Sequence, residues 1–202
     1  MDAGDLNKRI LRFISSRKAL AIAILIVLPL TVAAGYTSFL FPVFSAEMGF
    51  GKEQITNMFV LGQLVVYLCI GFMENADARF GQWRVTTAAV ACTGAVFLLF
   101  SLNTTLGWSV AVIVFVAVLG KFGDGWKGLW LKAASEKALW AGAATGAMFA
   151  VRSLALVAQP FIMGALLVAA DAVAVIIIGA ICAVCALVFY LVTRHTSLAS
   201  KD

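Results

Sequence analysis

The sequence has little charge, one histidine and no polar stretch long enough to form a soluble domain. Charged residues make up 12% of its 202 residues and hydrophobic residues 63%. Ordinary globular domains contain about a quarter charged and about half hydrophobic residues. A soluble fold could not bury so much apolar surface, whereas a bilayer accepts it. The composition therefore predicts an integral membrane protein.

The residue types of common active sites are also scarce. The only histidine, His195, lies near the C-terminus, so no imidazole is available within the apolar segments for catalysis or metal binding. A serine–histidine pair, a pair of buried aspartates and a phosphate-binding glycine loop are absent. The four cysteines lie inside apolar runs, where small packing residues are expected: Cys69, Cys92, Cys182 and Cys185. We expect no enzymatic activity, no catalytic residue, no metal and no cofactor.

Six apolar runs approach or exceed the roughly 20 helical residues that cross a bilayer core of about 30 Å. They predict helices 1 to 6 at residues 19–44, 55–73, 85–102, 108–130, 139–169 and 172–192. The segments between them are short. A helix satisfies its own backbone hydrogen bonds, as a membrane span must. The sequence thus predicts an all-α, polytopic six-helix bundle at residues 19–193.

The basic residues give the orientation. Eleven lysines and arginines lie at one set of helix ends and only Lys52 at the other, which places both termini in the cytoplasm. Residues 1–18 form a basic cytoplasmic segment and residues 194–202 a cytoplasmic tail. Residues 6–18 suit either a short helix on an anionic inner leaflet or a run of basic residues that only fixes the orientation of the first span.

The net charge of +5 forms no patch with surface aromatics, so nucleic acid is not an expected partner.

Ionisable residues within the apolar helices are the candidates for function. Regular helical spacing places Lys121 and Asp124 on one face of helix 4, with Lys127 well off it. Arg152 lies near the middle of helix 5. Such charges are costly in hydrocarbon, so they should face the bundle interior or a water-filled cavity, usually with a partner. Asp124 is the candidate partner of Lys121, and Glu74 or Asp124 that of Arg152.

Uncharged polar residues follow the same helices. Gln63 and Tyr67 share a stripe of helix 2, and Gln159 continues the stripe of Arg152 in helix 5. Helices 2, 4 and 5, and weakly helix 1, therefore have polar faces, whereas helices 3 and 6 carry little polarity and tolerate lipid. An alternative is that the intramembrane charges only neutralise one another and tie the helices together.

The segment after helix 2 carries a recognisable pattern of charged residues and glycine. Its members are Glu74, Asp77, Arg79, Phe80, Gly81 and Arg84. It is similar to the cytoplasmic loop of the major facilitator superfamily, an aspartate followed by an arginine-rich turn around a glycine. Asp77 lies one residue further from Gly81 than the pattern has it, and Glu74 replaces its leading glycine. The small residues from Gly142 through Pro160 to Gly164 resemble the family's eleventh helix.

The resemblance is to the C-terminal six-helix half of such a transporter. It implies transport of a small solute across a plasma membrane, of the bacterial inner-membrane type, by a site near the midplane. The expected cavity residues are Lys121, Asp124, Arg152, Gln63, Tyr67 and Gln159, and the segment 74–84 would act as a gating loop. Excess positive charge indicates an anionic substrate, and titration of Asp124 or Glu74 would couple transport to protons.

One half cannot enclose a site, so a second six-helix half is expected in the same chain, in a separate subunit or in a second copy. The alternative function is a sensory or scaffolding membrane module that keeps the fold without transport.

Overall fold

The structure, a computed structural model, describes residues 3–47, 49–102, 106–137, 139, 141–167 and 171–194. Within these residues the regular secondary structure is entirely helical. Six helices are long and apolar enough to cross a membrane. The predicted all-α architecture with six spans is therefore confirmed as that of a multi-pass membrane protein. His195 and the rest of the tail to residue 202 lie outside the described residues.

The six helices keep the numbers of the predicted runs, and a short N-terminal helix, Ala3–Ile14, precedes them. Their bounds are Arg17–Glu47 for helix 1, Lys52–Phe80 for helix 2, Gln82–Phe100 for helix 3, Leu106–Gly123 and Trp126–Ser135 for the two parts of helix 4, Ala141–Leu167 for helix 5, and Asp171–Thr193 for helix 6.

Helix 1 changes its helical pitch twice. Two wider π-helical turns, Ala23–Val27 and Tyr36–Leu40, are each followed within two residues by a proline, Pro29 or Pro42. Proline has no N–H and its ring crowds the carbonyl four residues earlier, so regular bonding fails just before it. Each wide turn rotates the residues that follow. A fixed helical period therefore misplaces the side chains of helix 1.

The bundle is held by a few extensive helix pairings. Helix 3 packs along helices 4 and 6, helix 2 packs against helix 4, and helix 5 packs against helix 1 and the second part of helix 4. In the core the rings of Tyr36 and Phe97 meet edge to face, with centroids 5.1 Å apart. Trp83 of helix 3 stacks on Tyr190 of helix 6 at 5.8 Å. Such aromatic pairs contribute beyond the area they bury.

Burial is uneven among the helices. In the apolar stretches of helices 2 and 5 only 17% of the residues are buried, against 50% in helices 1 and 3 and 33% in helices 4 and 6. Helix 3 was expected to face lipid, yet it is as buried as helix 1. Its three threonines, Thr86, Thr87 and Thr93, are all buried. The open surfaces of the bundle therefore belong mainly to helices 2 and 5.

Candidate functional site

Helix 4 is interrupted where residues 120–128 place four glycines among three charged residues. Here the N–H groups of Asp124, Gly125 and Lys127 each donate to the carbonyl three residues back. Residues three apart eclipse one another in this tighter 3₁₀ geometry. Asp124 Oδ2 consequently lies 3.6 Å from Lys121 Nζ and 3.0 Å from Lys127 Nζ. Lys127 therefore reaches the same carboxylate as Lys121, although regular spacing predicts it well off the face that Lys121 and Asp124 share.

The glycines at this interruption allow helices 1 and 3 to pack closely against helix 4. A Cβ on Gly123 would lie 2.5 Å from Leu30 Cδ1 of helix 1, and one on Gly125 would lie 2.6 Å from Thr86 Oγ1 of helix 3. A Cβ on Gly120 would meet nothing within 4 Å. Helices 1 and 3 thus approach the break closely, whereas the side of Gly120 stays open.

Two adjoining cavities of about 400 and 200 Å³ lie on that open side. Together they form what we name the polar depression. Ala34, Gly120, Asp124 and Arg152 line both cavities. The larger cavity is also lined by Thr37, Ser38, Gln63 and Lys121, with apolar residues between them. Helices 1, 2, 4 and 5 each contribute to this depression. It is open, not enclosed, because none of the described helices covers it.

The charges of the depression do not balance. Lys121, Asp124 and Arg152 line it, and the single carboxylate of Asp124 is already shared between Lys121 and Lys127. Arg152 is exposed, and within the described residues it forms no salt bridge with either expected partner. The N–H groups of the Arg152 guanidinium are therefore available to a ligand in the depression. A planar anion such as a carboxylate can accept two of these hydrogen bonds at once.

The remaining cavity candidates divide between surface and core. Tyr67 lies one turn beyond Gln63 on helix 2, is 72% exposed and does not line the depression. Gln159 is buried, and its Nε2 donates a hydrogen bond of 3.2 Å to the carbonyl of Thr31 in helix 1. The structure therefore places Gln63 with the charged residues, Tyr67 beside them, and Gln159 in the contact between helices 5 and 1.

The predicted gating loop is not a loop. Glu74, Asp77 and Arg79 belong to helix 2, which ends at Phe80, and Arg84 belongs to helix 3, which begins at Gln82. Gly81 alone connects them, with φ of +85°, a value that L side chains rarely adopt. Helix 2 has 29 residues and spans about 43 Å, so it runs well past a hydrocarbon core of about 30 Å. Beyond that core, charged residues suit a helix as well as a loop.

The two arginines of this segment lie over neighbouring aromatic rings. The guanidinium carbon of Arg79 is 5.4 Å from the centre of the Phe80 ring, and that of Arg84 is 5.5 Å from the Trp83 ring. The carbonyl of Asp77 accepts the N–H of Gly81 at 2.9 Å, which closes the end of helix 2. These contacts fix a tight corner between two helices.

Sequence reasoning gave helix 1 only a weak polar face and named none of its residues. Thr37 and Ser38 line the larger cavity, next to Ala34. Thr37 Oγ1 donates 2.9 Å to the carbonyl of Ala34, a local bond that lets a hydroxyl stay in an apolar helix. Both residues lie in the second π-helical turn, so a regular period could not assign their face. The small polar cluster of residues 37 and 38 inside an apolar run was the available signal.

Six spanning helices and a polar depression open to one side define a multi-pass membrane protein with a polar lateral face. No protein-family model matches the sequence, and comparison with curated proteins and with solved structures finds no similar chain. The resemblance to the major facilitator superfamily therefore rests on the residues of this sequence alone.

Proposed function

We propose that this chain is a six-helix half of a major-facilitator-type transporter that moves a small anionic solute across a plasma membrane, with both termini cytoplasmic. The observation that carries the proposal is the polar depression, where Lys121, Asp124, Arg152 and Gln63 meet from three of the membrane-spanning helices. Its position between helices 1, 2, 4 and 5 is where such a transporter has its substrate cavity.

The openness of the depression supports a second half. An arginine facing the bilayer centre costs about 2.5–3.5 kcal/mol on insertion scales. Arg152 is exposed on a helix whose apolar stretch is mostly unburied. A second six-helix body packed over helices 2 and 5 removes that cost and encloses the cavity. Lipid alone would leave the charges of the depression against acyl chains.

The pairing of the helices supports the same arrangement. Helix 1 packs with helices 5 and 6, and helix 4 packs with helices 2 and 3, while helices 3 and 6 pack with each other. Exchanging helices 1 to 3 with helices 4 to 6 leaves these pairings unchanged, whereas the packing of helix 5 against the second part of helix 4 has only a weaker counterpart between helices 2 and 1. Two three-helix units of opposite direction are the repeat from which major-facilitator halves are built.

Transport in liposomes tests the proposal. The chain, with and without a candidate partner half, is reconstituted and given a panel of labelled small anions and neutral sugars. We expect uptake of an anion, reduced at least tenfold by Arg152→Gln and partly retained by Arg152→Lys. Arg194→Gln, which removes the same charge outside the depression, should leave uptake unchanged. Measuring uptake against pH shows whether a proton accompanies the solute through Asp124 or Glu74.

If the Arg152→Gln variant takes up every transported solute as fast as the wild-type chain does, the proposed role of Arg152 in the cavity is wrong. If the wild-type chain, with its partner half, takes up nothing beyond empty liposomes, the transport proposal fails.

The alternative of a sensory or scaffolding module is favoured by the tight corner at Gly81. Helices 2 and 3 join there without the loop that the resemblance implies. A sensor would bind an anion in the depression without moving it across the bilayer. Binding that Arg152→Gln abolishes, combined with absence of uptake, would identify this function. A neighbouring gene for a kinase or phosphatase would support it, whereas an adjacent six-helix gene would support transport.

A further inference from the structure

A larger cavity lies away from the polar depression, at the end of the bundle where the chain enters helix 1. Its volume is about 800 Å³. It lies between the N-terminal helix, the first turn of helix 1 and the end of helix 4. Its lining residues are Arg9, Arg12, Phe13, Ser16, Arg17, Lys18, Ala133, Glu136 and Lys137. None of them lines the polar depression.

The walls of this cavity are held in place by packing. Phe13 of the N-terminal helix is buried and meets Trp130 of helix 4 edge to face, with ring centroids 5.0 Å apart. Trp130 Nε1 in turn donates 3.0 Å to the carbonyl of Ala144 in helix 5. The N-terminal helix is therefore fixed to the bundle through a buried aromatic pair, and the cavity is formed before any ligand arrives.

The charge of the lining is strongly positive. Five of the lining residues are lysine or arginine and one, Glu136, is acidic. Glu136 forms a salt bridge with Lys18, which occupies the carboxylate. In the described part of the chain no salt bridge involves Arg12, Arg17 or Lys137, and all three are exposed. Among the described lining residues, positive charges therefore outnumber negative ones, and the side chains of Arg12, Arg17 and Lys137 carry the excess.

From this geometry we propose that the cavity binds a phosphate-bearing anion, supplied by the headgroup of an anionic phospholipid. Arginine forks match phosphate oxygens with paired hydrogen bonds. Helix 1 begins at Arg17, so the cavity lies at the level where headgroups border the hydrocarbon. Basic pockets between membrane helices on the cytoplasmic side are suited to such headgroups. A soluble phosphate ester shares this chemistry and is the other source.

Lipid titration of the purified full chain tests the site. Binding of phosphatidylglycerol and of phosphatidylcholine is measured by native mass spectrometry, and glycerol 1-phosphate is added as a soluble competitor. We expect phosphatidylglycerol to bind at least tenfold more tightly than phosphatidylcholine. The double variant Arg12→Gln/Arg17→Gln should lose about 30-fold in affinity, since each cation near a headgroup contributes about a fivefold factor.

The matched control removes two charges elsewhere. Lys8→Gln/Arg194→Gln has the same net charge but keeps every residue of the cavity, so its affinity should change less than threefold. Arg12→Lys/Arg17→Lys keeps the charge but lacks the paired N–H donors of the guanidinium groups, so it should retain an intermediate affinity. Circular dichroism and thermal unfolding show that each variant keeps the wild-type helix content.

The outcomes distinguish a phospholipid headgroup from a soluble phosphate ester as the ligand, and they show when the site must be rejected. Displacement by glycerol 1-phosphate at concentrations comparable with the lipid assigns the site to soluble phosphate esters. Its failure to compete assigns the site to the lipid. An equal loss of phosphatidylglycerol affinity in Arg12→Gln/Arg17→Gln and in Lys8→Gln/Arg194→Gln would overturn the proposal. Equal binding of phosphatidylglycerol and phosphatidylcholine by the wild-type chain would overturn it as well. None of these results depends on transport.

Discussion

Gln159 shows that a polar side chain in an apolar helix can serve packing. The seven-residue spacing of Arg152 and Gln159 places both on one stripe of helix 5. Helix 5 nevertheless crosses helix 1, so the stripe meets open space at Arg152 and a neighbouring backbone at Gln159. The amide of Gln159 bonds the Thr31 carbonyl there. Spacing along one helix cannot show where a second helix crosses it.

The contact of Gln159 with Gly35 gives a prediction at this scale. A Cβ on Gly35 would lie 2.6 Å from Gln159 Nε2 and 2.8 Å from its Cγ. We expect Gly35→Ala to lower the free energy of unfolding by about 1–3 kcal/mol through overpacking. Gln159→Ala should lower it by about 0.5–2 kcal/mol, because it removes an interhelical hydrogen bond.

The double variant Gly35→Ala/Gln159→Ala should lose less than the sum of the two single losses, because removing the glutamine side chain makes room for the methyl group. Thermal unfolding of the four proteins in one mild detergent measures this coupling. Gln63→Ala, which removes an exposed glutamine, serves as the control and should leave stability unchanged. Strictly additive losses would contradict the assigned contact.

At the scale of the element, helix 4 shows what a fixed period misses. The four glycines of residues 120–128 were visible in the sequence, and they permit a change of pitch. Leu30 and Thr86, which belong to other helices, fill the space beside Gly123 and Gly125, and their positions could not be read from the sequence of helix 4. The pairing of Asp124 with Lys121 could be predicted from spacing. Its pairing with Lys127 has the same spacing of three residues, so spacing alone allows the carboxylate to meet either lysine.

The contact between helices 3 and 6 is close enough to involve their backbones. A Cβ on Gly94 would lie 2.8 Å from the carbonyl oxygen of Gly179 and 2.9 Å from the amide nitrogen of Ala183. Backbone atoms cannot rotate away as the end of a side chain can. Small residues at such crossings are what allow helices to approach in a membrane.

We therefore expect Gly94→Ala to separate helices 3 and 6 and to lower the unfolding temperature markedly. The matched variant is Gly71→Ala in helix 2, where an added Cβ meets nothing within 4 Å. That change should be neutral or should stabilise the protein by up to about 1 kcal/mol, since alanine favours helix over glycine. Thermal unfolding in the same detergent compares them. An equal effect of the two substitutions would contradict the packing of helices 3 and 6.

At the scale of the whole molecule, the six spans could be predicted and their burial could not. A spanning helix needs only sufficient length and apolarity, because it satisfies its own backbone. The protein interior and the lipid are equally apolar, so similar residues occupy both. Val90 of helix 3 is fully buried, whereas Val157 of helix 5 is 64% exposed. Nothing in these two valines distinguishes a core position from an outward one.

The face that helices 2 and 5 leave open is therefore where a second half is expected, and cross-linking tests it. Tyr67 lies one turn from Gln63, and Phe149 lies one turn from Arg152, so both border the polar depression. In a chain whose four native cysteines are replaced by alanine, Tyr67→Cys and Phe149→Cys are labelled separately with a benzophenone maleimide and irradiated in native membranes, so that the cross-link forms through C–H bonds and needs no cysteine in the partner. Val184→Cys, exposed on helix 6, is the control.

We expect a cross-linked product from the two border positions and little from helix 6, because a charged depression needs cover and an apolar helix surface in lipid does not. A product of twice the chain mass would identify a second copy, related by a symmetric interface. A product of another mass would identify a separate six-helix subunit. Absence of any product at Tyr67→Cys and Phe149→Cys, or equal labelling at Val184→Cys, would mean that the face of helices 2 and 5 meets lipid. Arg152 would then lie at the surface without a protein partner, and the half-transporter proposal would fail.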